Sequence, residues 1–324
     1  MTAALEVENL SLSIGTTPFV DAVSLAVAPG EILALVGESG CGKSLTAQAI
    51  MRLLPSAIRQ TGGRVRLAGD DITAMPESAL RTLRGRAMSM IFQEPQAALD
   101  PLARIGGQIA EALRLPRAQA RPKVLRMLAE VGIADPERRI DQYPFELSGG
   151  MCQRVMIACA LIAGPAVLLA DEPTTALDVT IQAQILDLLR RLARERGTAV
   201  LLITHDMGVV ADIADRMAVM YAGRIAEAGP TEAVFAAPAH PYTRLLLASI
   251  PRLTDQPKAP LAVIEGQVPA PASFGPGCRF AERCPRADAV CRAQTPPLRP
   301  ISGGREVACH YAMDGATDGA TDGA

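Results

Sequence analysis

The sequence predicts an α/β fold built on a largely parallel sheet, and three observations carry this. Short apolar runs at 31–36, 166–170 and 199–203 have the length of buried strands. Stretches of helical periodicity, above all 179–196, alternate with them. A glycine-rich segment joins the first of these strands to a helical stretch, giving strand, loop and helix in that order.

Each element follows from local chemistry. The first 35 residues alternate as strands do, through Leu10, Leu12 and Ile14 and then Val23, Leu25 and Val27, with a turn at Pro29-Gly30. A helix is expected from about Ser44 to Leu54, closed by Pro55. Residues 61–72 read as β structure ending in Gly69-Asp70, and residues from about 95 to 165 read as helical, rich in Arg, Ala and Leu. The helix 179–196 is amphipathic, with Gly197 as its stop signal. Near 236 prolines become frequent (Pro238, Pro241, Pro251, Pro257, Pro260). A boundary is therefore expected at 235–250, between a domain at 1–235 and a smaller one at 236–313. Residues 314–324 repeat Asp-Gly-Ala and read as a disordered tail.

Composition excludes several classes. Apolar residues make up 49% of the 324, enough for a sizeable core. A net charge of −2 and 3% aromatic content argue against gripping nucleic acid or stacking on bases. The N-terminus lacks the basic flank and apolar stretch of a signal peptide. No uninterrupted apolar run approaches the roughly 18 residues of a membrane span. The chain is expected to be cytoplasmic, with any membrane role supplied by a partner.

Gly37-Glu38-Ser39-Gly40-Cys41-Gly42-Lys43-Ser44 fits the pattern G-x-x-x-x-G-K-[ST]. Glycines let the backbone curl until several N–H groups face one anion, and the following helix adds its positive N-terminal end. Lys43 is placed to reach the β- and γ-phosphates and the Ser44 hydroxyl to ligate Mg²⁺. Cys41, at a helix N-terminus, is expected to have a lowered thiol pKa, so that alkylation inhibits and ATP protects. The apolar run Val167-Leu168-Leu169-Ala170 ends in Asp171 and Glu172. Carboxylates at a strand's carboxyl end suit the outer shell of Mg²⁺ (Asp171) and activation of the attacking water (Glu172).

Leu147-Ser148-Gly149-Gly150-Met151-Cys152-Gln153-Arg154 resembles the LSGGQ signature of ABC ATPases, with Met151 at the fifth position as in their peptide-importer branch. Eighteen residues separate Arg154 from Pro173, and Asp171-Glu172-Pro173-Thr174-Thr175-Ala176-Leu177-Asp178 resembles the Walker B motif running into the D-loop, with Asp178 its acid. Gln93 occupies the place of the Q-loop glutamine, and His205 that of the switch histidine. The resemblance covers about residues 5–235 and implies a P-loop NTPase cassette of the ABC type, with a helical signature subdomain at about 95–165.

That resemblance implies a mechanism. Ser148, with the Gly149 and Gly150 amides, opens a helix and offers an anion site, which in ABC proteins faces the γ-phosphate held by a partner chain. Two chains, copies or paralogues, sandwich two ATP molecules and part after hydrolysis. Gln93 ligates Mg²⁺ with Ser44 and Asp171 and reports nucleotide state to the membrane subunit, and His205 holds the γ-phosphate. ABC cassettes commonly stack adenine on an aromatic before the phosphate loop. Here that place holds Ile14-Gly15, with Phe19 the nearest substitute.

Ala239-His240-Pro241-Tyr242-Thr243-Arg244 resembles the hallmark of oligopeptide, dipeptide and nickel importer ATPases, as does Gln93-Glu94-Pro95 through Pro101. The implied partners are a second ATPase chain, two transmembrane permeases and, indirectly, an extracytoplasmic solute-binding protein; nucleic acid is not among them. The implied place is the cytoplasmic face of the inner membrane. Cys278, Cys284, Cys291 and Cys309 follow the spacing C-x5-C-x6-C-x17-C. Tetrathiolate sets hold zinc or iron–sulfur clusters, and structural zinc prefers tighter pairs. A [4Fe–4S] cluster, carried there by some resembling ATPases, zinc, and unligated thiols all remain open, with His310 a lesser ligand candidate. Alternatives to peptide import are nickel or another small solute, a soluble ABC-type ATPase, or a redox sensor. The soluble class usually carries tandem cassettes, coiled coils or inserted zinc modules, whereas this sequence has one cassette, no long heptad run and no basic excess.

Overall fold

Apolar runs bounded by turn residues become strands buried along their whole length. Ile32–Val36, Val167–Asp171 and Ala199–Thr204 are buried at every position. Such two-sided burial belongs to parallel strands covered on both faces. The computed structural model describes residues 2–174, 178–250 and 264–313. The tail at 314–324 and Thr175, Ala176 and Leu177 of the D-loop motif lie outside the described residues.

The chain divides into two compact units. One takes the chain through Glu6, Ala26–Ile32 and Val65–Ile203; the other takes Val7–Leu25, Leu33–Arg64 and the chain from Thr204 onward.

In the first unit, Met88–Ile91, Val167–Asp171 and Ala199–Thr204 pair in parallel, with Met90 opposite Leu169 and Leu169 opposite Leu201. The helix Val179–Arg196 begins where the Asp178 side chain accepts the Ile181 N–H at 3.0 Å. It ends at Gly197, whose φ of 69° is the left-handed conformation that glycine adopts without penalty. Ile185, Leu188, Leu189 and Leu192 form its buried stripe at helical spacing. Truncating one of them to Ala costs about 2–5 kcal/mol. Between residues 95 and 161 lie the helices Pro95–Ala98, Ile105–Glu111, Arg117–Glu130, Pro136–Arg139 and Gly149–Leu161. The last is apolar nearly all round and buried from Cys152 to Leu161 except at Cys159. Gly106 permits close approach, since a Cβ there would lie 2.3 Å from the Ile140 side chain.

In the second unit, Ile32–Val36 pairs in parallel with Arg216–Tyr221, which pairs antiparallel with Arg224–Pro230. Arg305–Val307 then adds to Arg224–Pro230, and Arg299–Ile301 to Arg305–Val307. Residues from 235–250 onward pack against the strands that precede them. Tyr242 and Phe280, among them, share one core with Ala34, Val36, Val219 and Tyr221. The prolines there end short helices such as Thr231–Ala236 and start others such as Pro241–Ala248.

Candidate functional site

The strand Ile32–Val36 delivers the chain into Gly37–Gly42, and the helix Lys43–Ile50 leaves it. The helix is shorter than expected, ending near Met51 because Arg52 takes a left-handed φ of 52°. Gly37, at φ 152°, has no room for a side chain: a Cβ would lie 2.1 Å from the Met220 carbonyl oxygen. Gly40 and Gly42 also take positive φ, 79° and 105°. Lys43 is buried, and its Nζ donates to the carbonyls of Gly37 at 2.8 Å and Glu38 at 3.0 Å. The ammonium thus lies across the mouth of its own loop. Ser44 is half-buried at the first helical turn, and Ser39 and Gly40 are exposed.

The loop is fastened from outside as well. The Gly223 N–H donates to the Cys41 carbonyl at 2.9 Å, and the Glu38 N–H donates to the Tyr242 hydroxyl at 2.9 Å. Cys41 is buried, and burial pushes its thiol pKa up against the opposing pull of Lys43. The expectation of a lowered pKa is thereby corrected. The helix-terminus argument assumed a solvated thiol, whereas Cys41 points into the core beside Gly37. In this unit His205 is exposed, just before Asp206, which caps the helix Met207–Ile213 by accepting the Gly208 and Val209 N–H groups. Ile14 is partly exposed and Phe19 half-buried on the strand Thr17–Val27.

The first unit brings two of the expected residues together. Asp171 is buried at the strand's end, and Glu172 follows it with a left-handed φ of 48°. That conformation is costly for a residue with a side chain, and such strain concentrates at functional sites. The Gln93 Nε2 donates to the Glu172 carboxylate at 3.2 Å. Gln153 donates to the Pro173 carbonyl, tying the signature helix to the residue after Glu172. Ser148 caps the helix Gly149–Leu161 by accepting the Met151 N–H at 3.4 Å. Ser148 and Gly149 are exposed, while Leu147, Gly150 and Met151 are half-buried. Arg154 is buried, and its guanidinium donates to the carbonyls of Val131 and Gly132 and to Gln184.

The four tail cysteines come from separate short segments and line one cavity of about 20 Å³ together with His310. Burial pushes the Cys278 thiol up to about 11, with Cys309, Cys291 and Cys284 adding to the shift. Among the described residues, no group of three or more His, Cys, Asp or Glu side chains is gathered closely enough to hold a metal ion. The thiols thus face a common space that admits about one water molecule.

Sequence reasoning missed the residues that fasten this tail. Arg279 donates to Asp21 at 2.7 Å and to the Ala222 carbonyl, and Arg283 pairs with Glu38. Both arginines are chain neighbours of a cysteine, which was the available signal.

A glycine-lined loop at a helix N-terminus with a buried lysine across it defines a nucleotide-phosphate cassette. Residues 20–175 match the ABC transporter family model, and residues 226–291 match that of the oligopeptide/dipeptide transporter C-terminal region. The dipeptide transport ATP-binding protein DppD of Bacillus subtilis is 48% identical over 318 residues, covering 95% of each chain. A probable peptide ABC transporter ATP-binding protein of Sinorhizobium fredii is 51% identical, covering 89% of this chain and 87% of its own length. Among solved structures, the dimeric post-hydrolysis form of the cassette MJ0796, bound to ADP and phosphate, superposes with a TM-score of 0.64. It is 27% identical and covers 70% of this chain and 98% of its own. The chain belongs to the family of ABC transporter ATP-binding proteins. It is an ATPase that energises transport.

Proposed function

We propose that this ABC ATPase drives import of oligopeptides or dipeptides from the cytoplasmic face of the cell membrane, working with a second ATPase chain and two membrane permeases. The observation that carries the cargo reading is the match of residues 226–291 to the oligopeptide/dipeptide transporter C-terminal region. The relatives named for dipeptide and peptide transport support it. No described helix is long and apolar enough to cross a membrane, so permeases would supply the passage.

In this reading the loop Gly37–Ser44 holds the triphosphate, with Lys43 exchanging its two carbonyl partners for phosphate oxygens. Ser44, Gln93 and Asp171 offer hydroxyl, amide and carboxylate oxygens, a donor set that fits Mg²⁺. The metal would neutralise charge on the leaving phosphates. Glu172 orients and deprotonates the attacking water, and its hydrogen bond from Gln93 couples that carboxylate to the residue that senses the permease. His205, exposed on its own unit, contacts the γ-phosphate. Ser148 and Gly149, exposed at a helix N-terminus, are open to the nucleotide of a partner chain. Asp178 caps its own helix by accepting the Ile181 N–H. Co-expression with permeases of the peptide type tests the assignment. Copurification with peptide-stimulated ATP hydrolysis supports it, and stimulation by nickel alone overturns the cargo.

We further propose that Cys278, Cys284, Cys291 and Cys309 hold a [4Fe–4S] cluster. The four cysteines line one cavity, and thiolates are the ligands such clusters use; since the described side chains are not gathered closely enough to hold a metal, the loaded form would have to draw them together. Anaerobic purification with iron, sulfide and zinc analysis tests it. Zinc without sulfide, or neither metal, removes the cluster.

A further inference from the structure

The phosphate loop carries an acid, Glu38, at its second position. An uncompensated carboxylate on a loop that must hold a polyanion weakens binding by like-charge repulsion. Arg283 meets it. Its Nη1 and Nη2 donate to the two Glu38 carboxylate oxygens at 2.7 and 3.0 Å. The rest of the guanidinium is also committed: Nε donates to the Glu265 carbonyl at 2.8 Å, Nη2 to the Ile264 carbonyl at 3.2 Å, and Nη1 to the Tyr221 hydroxyl at 3.3 Å. The Arg283 side chain is 6% exposed and that of Glu38 is 27% exposed. A cation held this firmly, with every nitrogen occupied and one carboxylate in its fork, is pre-oriented for that acid. The Glu38 N–H is held in turn by the buried Tyr242 hydroxyl.

We propose that Arg283 is a positioning residue of the ATP site. It cancels the charge of Glu38 and, with Tyr242, fixes the first turn of the phosphate loop. The C-terminal region thereby sets the affinity of the loop for ATP. This inference rests on the reading of residues 37–44 as the triphosphate site.

The experiment measures steady-state ATP hydrolysis and titration with a fluorescent ATP analogue on the full chain. Arg283→Ala should raise KM for ATP about tenfold, the scale of one unscreened charge near the surface, with kcat changed less than about twofold. The double variant Arg283→Ala/Glu38→Gln should recover KM to within about threefold of the parent, because the repulsive charge is gone. A brace without an electrostatic role would leave the double variant as impaired as the single one, and that result overturns the proposal. Glu38→Gln alone serves where Arg283→Ala does not fold. It should lower KM about threefold, since a cation then faces the phosphates unopposed. A raised KM overturns the proposal. Lys43→Ala separates the two readings. Parental ATP binding by Lys43→Ala means that the phosphate-loop reading fails. Loss of binding there, with parental KM in Arg283→Ala, means that this inference alone fails.

Discussion

The phosphate loop and the signature helix are both helix N-termini built around glycines, yet they are finished in different ways. The loop is closed by its own chain: Lys43 lies across it, and Gly223, Tyr242 and Arg283 bind it from other segments of its unit. The signature turn is capped by Ser148, and both Ser148 and Gly149 are open to solvent. The first is a loop held in shape by its own chain. The second has its amides presented outward, which is what a surface awaiting another molecule's anion requires.

The largest effect should come from removing the acid that follows the strand Val167–Asp171. Glu172→Gln should lower turnover by about 10³-fold, within the range for losing a general base, while ATP binding persists. Phosphate release and nucleotide titration check this together, and parental hydrolysis would remove Glu172 from its role. Next in size is Gly37→Ala. The added Cβ would meet the Met220 carbonyl at 2.1 Å, so the loop must shift. We expect a loss of about 3 kcal/mol in urea denaturation and of ATP binding. A variant that kept both would show the loop to be less tightly closed than its contacts imply.

The third prediction concerns pH. Burial holds the His240 imidazole down to about 4, and its Nδ1 accepts the Tyr242 N–H. The unfolded chain binds a proton near pH 6.5 that the folded chain refuses. Stability is therefore full above about pH 6.5 and falls towards pH 4, by up to about 3 kcal/mol. Glu227, pushed up by burial, works in the opposite direction at acid pH and trims that loss. His240→Asn, which retains an acceptor for the same N–H, should flatten the dependence in denaturant midpoints. Because Tyr242 also holds Glu38, ATP affinity should follow the same profile. The smallest effect on the isolated chain should be that of Ser148→Ala. We expect about 1 kcal/mol of stability lost with the cap, and ATP titration of the monomer within about twofold. ATP-driven dimerisation, read by light scattering, should fail. If monomer affinity fell instead, the contrast between a closed and an open site would collapse.

Much of this was legible from residue order. The parallel strands, the helix Val179–Arg196 with its Gly197 stop, and the phosphate loop all depend on neighbours within a few positions, and local rules reach that far. The need for glycines in the loop was also legible, since they let the backbone curl, whereas the close approach of Met220 to Gly37 was not. One expectation failed. The Cys41 thiol pKa was expected to fall at a helix N-terminus, but the side chain is buried, and burial raises it instead.

What the sequence by itself determined was the chemistry available: an anion-cradling loop, two acids at a strand end and a capped signature turn, each written in contiguous residues. Only the tertiary structure decided which charges cancel. The Arg283–Glu38 and Arg279–Asp21 pairs join positions 245 and 258 residues apart, and electrostatic energy depends on distance in space, which no local pattern encodes.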